Sequence, residues 1–161
     1  MGYYAKAEIC LNGHIVSANS TSDNHENFCS KCGAKTISSC PNCKSQIRGW
    51  YKPDGVVVLR SSNTKFPLPA FCPSCGRPYP WTVSAIESTA ALIEEDEEIP
   101  QEQKTKLIES LPDIVSETPR TKLAIVRLKK ALVSVGKFTA DGVRQFCIDF
   151  ACELVKSSMG P

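Results

Sequence analysis

The residues best able to do chemistry are the cysteines. Six of the nine form three Cys-x-x-Cys pairs: Cys29/Cys32, Cys40/Cys43 and Cys72/Cys75. A seventh, Cys10, has His14 four residues on, in Cys10-Leu11-Asn12-Gly13-His14. Thiolate sulfur and imidazole nitrogen are zinc ligands, and structural zinc takes four of them at the corners of a tetrahedron. Four ligand pairs therefore make two closed Zn2+ sites from Cys10, His14, Cys29, Cys32, Cys40, Cys43, Cys72 and Cys75. The alternative eighth ligand is His25, four residues before Cys29. Gly13, directly before His14, permits the tight bend that a metal knuckle needs and favours His14.

Sequential pairing of the ligands puts Cys10, His14, Cys29 and Cys32 on one metal and the remaining four cysteines on the other. Cross-braced pairing, as in RING domains, is the alternative. Those domains place their second and third pairs two or three residues apart, whereas Gly33 to Ser39 separate them here. A linker of that length suits a strand joining two ribbons, which favours the sequential arrangement. Redox dithiols open a helix in a βαβ unit, and no such pattern surrounds these pairs. Disulfides belong to exported chains, and Met1-Gly2-Tyr3-Tyr4-Ala5-Lys6 lacks an apolar signal core. Reduced, metal-bound cysteines and a cytoplasmic protein are expected.

Several elements must position these ligands. Tyr3–Cys10 reads as a strand entering the first knuckle. Residues 15–27 read as a polar loop with a short strand at Ile15-Val16. Gly33 and Gly76 follow the last cysteine of their pairs, where a left-handed residue is wanted. Gln46–Trp50 and Val56–Arg60 read as two strands of a hairpin turned by Lys52-Pro53-Asp54-Gly55. Pro67 and Pro69 keep the chain extended into the last knuckle. Arg77–Thr82 is expected to be extended as well, with Tyr79 and Trp81 packing the ribbon region against the next part of the chain. A base-stacking platform is the other use of those two rings.

The remainder reads as helical. Ser84-Ala85-Ile86-Glu87 has capping-box spacing and starts a helix to about Glu98, with Ile86, Ala90 and Leu92 or Ile93 inward. Its end, Glu94-Glu95-Asp96-Glu97-Glu98, places acids where the helix dipole disfavours them and is expected to fray into solvent. Pro100 opens a second helix that ends before Pro112. Thr118-Pro119 opens a third, running to about Val135 with Ile125, Leu128, Leu132 and Val135 as its apolar stripe, and Gly136 stops it. A last helix runs from about Ala140 to Ser157 with Val143, Phe146, Cys147, Phe150 and Leu154 inward. These last two are expected to form an antiparallel hairpin. Cys147 and Cys152 stand outside the metal chemistry as small, buried or half-buried residues. The fold class is thus α+β: a double zinc ribbon over residues 1–81 and a helical domain over 82–161.

Composition limits function. The formal net charge is +2, with nine Lys/Arg against four Asp/Glu in residues 1–80 and ten against thirteen in residues 81–161. Seven zinc-bound thiolates would further reduce the basic surplus of the first half. Charge alone therefore does not declare a nucleic-acid surface. No apolar run is long enough to span a membrane.

The strings Cys-Leu-Asn-Gly-His (10–14), Phe-Cys-Ser-Lys-Cys-Gly (28–33), Cys-Pro-Asn-Cys (40–43), Ile-Arg-Gly (47–49), Cys-Pro-Ser-Cys-Gly-Arg-Pro-Tyr-Pro-Trp-Thr (72–82) and Thr-Pro-Arg-Thr (118–121) resemble an uncharacterised bacterial family of small zinc-ribbon proteins. The resemblance covers most of the chain. It implies a bacterial cytoplasmic protein holding zinc through the eight residues named above, and it carries no activity with it.

Saturated metal sites and the lack of a phosphate-cradling loop or nucleophile elbow argue against an enzyme, and no small-molecule substrate is expected. The expected role is a non-catalytic interaction module that binds a protein partner or a second copy. Nucleic-acid binding is the alternative. It would use Lys44, Arg48, Trp50, Tyr51, Lys52 and Arg60 around the expected hairpin, because cations interleaved with aromatics suit single strands.

Overall fold

The computed structural model describes residues 1–21, 25–61 and 63–159. The chain divides into two compact units, Met1–Thr82 and Val83–Pro161. Among the described residues the first holds four short antiparallel strands, and helices occupy the second.

β1 (Tyr3–Cys10) is the central strand of the first unit. β2 (Ile15–Ser20) lies on one edge, with Lys6 opposite Ser20 and Ile9 opposite Ile15. β3 (Thr36–Ile37) and β4 (Arg48–Lys52) share the other edge. β3 faces Ile9 and Cys10, and β4 runs from Lys6 opposite Arg48 to Tyr3 opposite Lys52. The amide of Ala7 donates to the Ile47 carbonyl at 2.9 Å and closes the gap between them. β3 is the strand expected in the linker between the two ligand sets.

Two strand expectations are corrected. β2 extends to Ser20, beyond the Ile15-Val16 pair, because pairing with β1 outweighs the polar composition of Ser17 to Ser20. The rest of that expected loop includes residues 22–24, which lie outside the described residues. The hairpin of 46–60 does not form either. β4 pairs with β1, and Val56 to Arg60 form no strand, although Gly55 turns with φ +67° as the turn chemistry requires. A non-local partner has displaced the local one. Gly49 fits this tight arrangement for lack of a side chain: a Cβ there would lie 2.1 Å from the Ala18 carbonyl oxygen and 3.1 Å from that of Ala5.

The three Cys-x-x-Cys knuckles are one structure repeated. In each, the amide of the first cysteine donates to the carbonyl five residues on: Cys29 to Ala34, Cys40 to Ser45 and Cys72 to Arg77, at 2.8–2.9 Å. Each is closed by an antiparallel bridge: Phe28 with Lys35, Ser39 with Gln46, and Phe71 with Pro78. The residue after the second cysteine has positive φ: Gly33 at +70°, Lys44 at +63° and Gly76 at +71°. Lysine therefore occupies a position where the other two knuckles have glycine.

Apolar packing in this unit is modest. Ala5, Ala7, Ile9 and Ile47 are buried with Tyr79 and Trp81, whose rings stack 4.7 Å apart. The Trp81 indole donates to the Pro69 carbonyl at 2.8 Å, and its Cβ lies close against Gly13. Tyr79 and Trp81 are thus packing residues of this unit, and their burial closes them to bases. The buried Glu8 carboxylate accepts from Ser20 Oγ (3.1 Å), Thr36 Oγ1 (3.2 Å) and the Glu26 amide (3.2 Å), and it meets His25 Nδ1 at 2.5 Å. A buried carboxylate is tolerable when its lone pairs are satisfied in this way.

α1 (Pro80–Glu95) begins earlier than the capping-box reading placed it. Pro80 sits in the first turn, where the missing N–H is unneeded, so this proline starts the helix instead of keeping the chain extended. α2 (Gln101–Ile108) follows Pro100 as expected, and α3 (Leu111–Val115) adds a short helix with Pro112 in its first turn. α4 (Thr121–Ser134) is preceded by Thr118-Pro119, and the Thr118 hydroxyl accepts from the Arg120 amide at 3.1 Å while donating to Asp113 at 2.7 Å.

The expected last helix is two: α5 (Lys137–Phe150) and α6 (Glu153–Met159). The chain turns extended at Ala151, and the Cys152 amide donates to the Ile114 carbonyl of α3 at 2.9 Å instead of continuing the helix. A tertiary hydrogen bond makes the break, and no glycine or proline marks it. α4 packs mainly on α2, α3 and α6, and α5 on α3 and α6. The region is thus a helical cluster, broader than the two-helix hairpin expected. Ile93, Leu107, Leu111, Ile114, Leu128, Val143 and Val155 fill its core.

The acidic end of α1 is held, not frayed. Lys104 Nζ donates to the Glu94 carbonyl, and buried Asp96 accepts from the amides of Glu98 (2.9 Å) and Gly136 (3.3 Å). The Thr139 hydroxyl, followed by these amides, holds the Asp96 carboxyl below its ordinary pKa despite partial desolvation.

Lys44 offers a test of the knuckle repeat. Lys44→Gly relieves a left-handed lysine and gives up an exposed bond from its ammonium to the Pro41 carbonyl. We expect thermal denaturation of the zinc-loaded variant to show a gain of about 1 kcal/mol, the usual cost of a non-glycine residue in that region.

Candidate metal centres

Each knuckle presents two ligand atoms on one side of a tight turn, and two knuckles together make a tetrahedron. Cys10, His14, Cys29 and Cys32 form one cluster, and Cys40, Cys43, Cys72 and Cys75 the other, with all ligand atoms of a cluster within 4.8 Å of one another. The pairing is sequential. The first cluster joins the β1–β2 turn to the knuckle before β3. The second joins the knuckle after β3 to the one before α1.

The spacing is what zinc imposes. Zn–S bonds of about 2.3 Å at tetrahedral angles separate two sulfurs by about 3.8 Å, and a sulfur from an imidazole nitrogen by about 3.6 Å. Cys10 Sγ lies 3.8 Å from Cys32 Sγ. His14 Nδ1 lies 3.6, 3.3 and 3.7 Å from the sulfurs of Cys10, Cys32 and Cys29. In the second cluster Cys40–Cys75 is 3.8 Å and Cys43–Cys72 is 3.7 Å. The residues fit two zinc ions, one held by three cysteines and a histidine and one by four cysteines. His14 supplies the fourth donor atom of the first cluster, through Nδ1. His25 instead meets Glu8 and stands 3.2 Å from Asn27 Oδ1.

Neighbouring groups favour the thiolate form at Cys32, Cys43 and Cys72. The His14 amide donates to Cys10 Sγ at 3.2 Å, and Asn12 Nδ2 to Cys32 Sγ at 3.5 Å. The Ala34 amide lowers the Cys32 pKa, whereas burial raises that of Cys10. In the second cluster the Ser45 hydroxyl lies 3.0 Å from Cys43 Sγ and 3.4 Å from Cys72 Sγ. Ser45 is the main cause lowering both, and with the amides of Ser74 and Cys75 it brings Cys72 down to about 5. The buried Tyr79 hydroxyl is kept protonated by desolvation and then by its neighbour Cys72. The places of Asn12, Ser45 and Tyr79 beside the ligands were not foreseen from sequence. Ser45 carried one signal, a hydroxyl two residues past a ligand.

The basic and aromatic residues of the alternative reading are spread over β4 and its surroundings. Arg48 lies over the Tyr4 ring (4.9 Å to the centroid), Lys52 over Tyr3 (5.9 Å) and Arg60 over Trp50 (4.4 Å). Tyr51 packs at 5.1 Å on Tyr4, and Trp50 edge-on against Phe66 at 5.0 Å. Lys44 is apart from them, folded back on its own knuckle at 2.8 Å from the Pro41 carbonyl.

Three predictions concern the metal. Native mass spectrometry of the intact chain should show two zinc ions, and chelation should unfold the first unit, since structural sites supply on the order of 10 kcal/mol each. His14→Ala should lose or weaken one ion while His25→Ala retains both; the reverse result would reassign the ligand. Ser45→Ala should weaken zinc at the four-cysteine cluster by about 10-fold or more, read by competition with a chromophoric chelator, and leave the histidine-containing cluster unchanged.

No described helix is long and apolar enough to cross a membrane. No curated protein and no solved structure matches the chain. The model of the family described as "uncharacterized protein conserved in bacteria (DUF2321)" matches residues 3–159, a span that includes both four-residue clusters, and the chain belongs to that family.

Proposed function

We propose that the chain is a zinc-stabilised, non-catalytic interaction module of the bacterial cytoplasm that binds a protein partner or a second copy of itself. The observation that carries this reading is the saturation of both clusters. Four protein ligands meet at each, whereas a catalytic zinc keeps one position for water or substrate. The metals then act as a scaffold, and activity belongs to the surfaces they hold. One such surface is apolar: Val56, Val57, Val58 and Leu59 form an unbroken run from 42% to 92% exposed. Contiguous exposed apolar residues mark contact sites more often than scattered ones do.

The second reading is nucleic-acid binding. It is favoured by the three cation–aromatic pairs along β1 and β4, and by Tyr3, Tyr4 and Tyr51, which remain exposed. The small net charge weighs against it.

Capture from nuclease-treated bacterial lysate, with light scattering of the purified chain, tests the first reading. It expects a stoichiometric protein partner or a defined oligomer. Titration of labelled single- and double-stranded nucleic acid at two salt concentrations tests the second. Salt-sensitive binding that disappears in Arg48→Ala/Lys52→Ala, with no protein partner and no oligomer, would overturn the module reading.

A further inference from the structure

α4 carries apolar residues on two sides. Thr121, Ala124, Ile125, Leu128 and Ala131 are buried within the helical unit. Leu123 and Val126 point the other way, by the helical repeat of 3.6 residues, and are 50% and 48% exposed. They are not isolated surface residues. With Leu107 of α2 they line a groove of about 480 Å³ between α2 and α4. Lys106, Arg127 and Lys130 also line it, and among the described residues no carboxylate does.

The charges around the groove are uneven in their commitments. Lys106 pairs with Glu102, and Arg127 donates to the Lys106 carbonyl (3.2 Å) and the Ser110 hydroxyl (3.0 Å). The two Arg127 bonds tie α4 to the C-terminal end of α2. Lys130, like Lys122 and Lys129, is exposed and has no ion pair among the described residues. α4 contains four basic residues and no acidic one.

We propose that the α2–α4 groove docks an acidic amphipathic helix of a protein partner. The proposal rests on the interaction-module reading and names its surface and the chemistry of its partner. A trough between two helices accepts a convex ridge of side chains, and α2, at eight residues, is about 12 Å long, or two turns of a docked helix. Apolar side chains spaced i, i+3, i+4 and i+7 on the incoming helix would meet Leu123 and Val126, with buried Leu107 as the floor of the groove. Carboxylates flanking that ridge would meet Lys130, Lys106 and Arg127, and charge complementarity fixes the sign of the partner. A flat lipid surface fits a concave trough less well than a convex helix ridge does.

The test uses the full zinc-loaded chain. The probe is a labelled helical peptide with Leu at that spacing and Glu flanking it, compared by fluorescence anisotropy with a peptide of the same composition and scrambled spacing. The ordered peptide should bind, more weakly as salt rises. Leu123→Ser/Val126→Ser should weaken it by about tenfold or more. Lys130→Glu, at an exposed position that leaves the fold intact, should weaken the Glu peptide and strengthen binding of the matching Lys peptide. This charge swap decides the matter if the double variant misfolds.

Equal binding of the scrambled peptide, or no effect of the groove variants, overturns the proposal. So does binding to phosphatidylglycerol–phosphatidylcholine vesicles with none to the peptide. If the peptide fails while nuclease-treated lysate still yields a stoichiometric partner or oligomer, the groove assignment falls and the module reading stands. If neither gives binding, the module reading falls as well.

Discussion

Sulfur atoms held 3.7–3.8 Å apart make a poor arrangement unless a cation sits among them. Two unit charges at about 4 Å repel by about 4 kcal/mol at an effective dielectric of 20, and the four-cysteine cluster contains several such pairs. A zinc ion reverses the sign of that balance and adds on the order of 10 kcal/mol of binding. The first unit depends on it, because its apolar interior is little more than Ala5, Ala7, Ile9, Ile47 and the stacked Tyr79 and Trp81. Small domains with thin cores commonly need such a staple. Two ions held there would also tie together the β1–β2 turn, both sides of β3 and the chain entering α1.

Within that frame, buried carboxylates act as local ties. Glu8 on the central strand gathers Ser20, Thr36, the Glu26 amide and His25, and so fixes β2, β3 and the approach to the second knuckle around β1. Asp96 does similar work in the helical unit, joining the end of α1 to Gly136 at the start of α5. A buried carboxylate with satisfied lone pairs is costly to disturb, because removing one donor leaves charge uncompensated. Both residues carry structural work inside their units.

That surface differs in kind between the units. Around β4 the cations lie over aromatic rings of the same unit, so much of their charge is directed at neighbouring side chains. On α4 the lysines stand free beside apolar residues that the helical core has not used. The first arrangement directs charge onto ring faces at a sheet edge, whereas the second leaves exposed lysines and exposed apolar side chains on one helix.

The metal ligands were legible because zinc demands donor types and spacings that few other structures need. Cys-x-x-Cys brings two sulfurs to one side of a turn by local geometry alone, and Gly33 and Gly76 marked where that turn becomes left-handed. Helix starts at Pro100 and Thr118-Pro119 were legible for a similarly local reason. What distant segments do to one another was not. β4 chose β1 over the adjacent Val56–Arg60, the last helix broke at Ala151 for a bond to Ile114, and Asp96 was drawn inward by Gly136. The choice between His14 and His25 belongs with these, settled when Glu8 engaged His25 and left His14 facing the sulfurs. Local covalent geometry determined the ligands and their turns; long-range pairing, which no short stretch encodes, decided the sheet, the helical cluster and the groove.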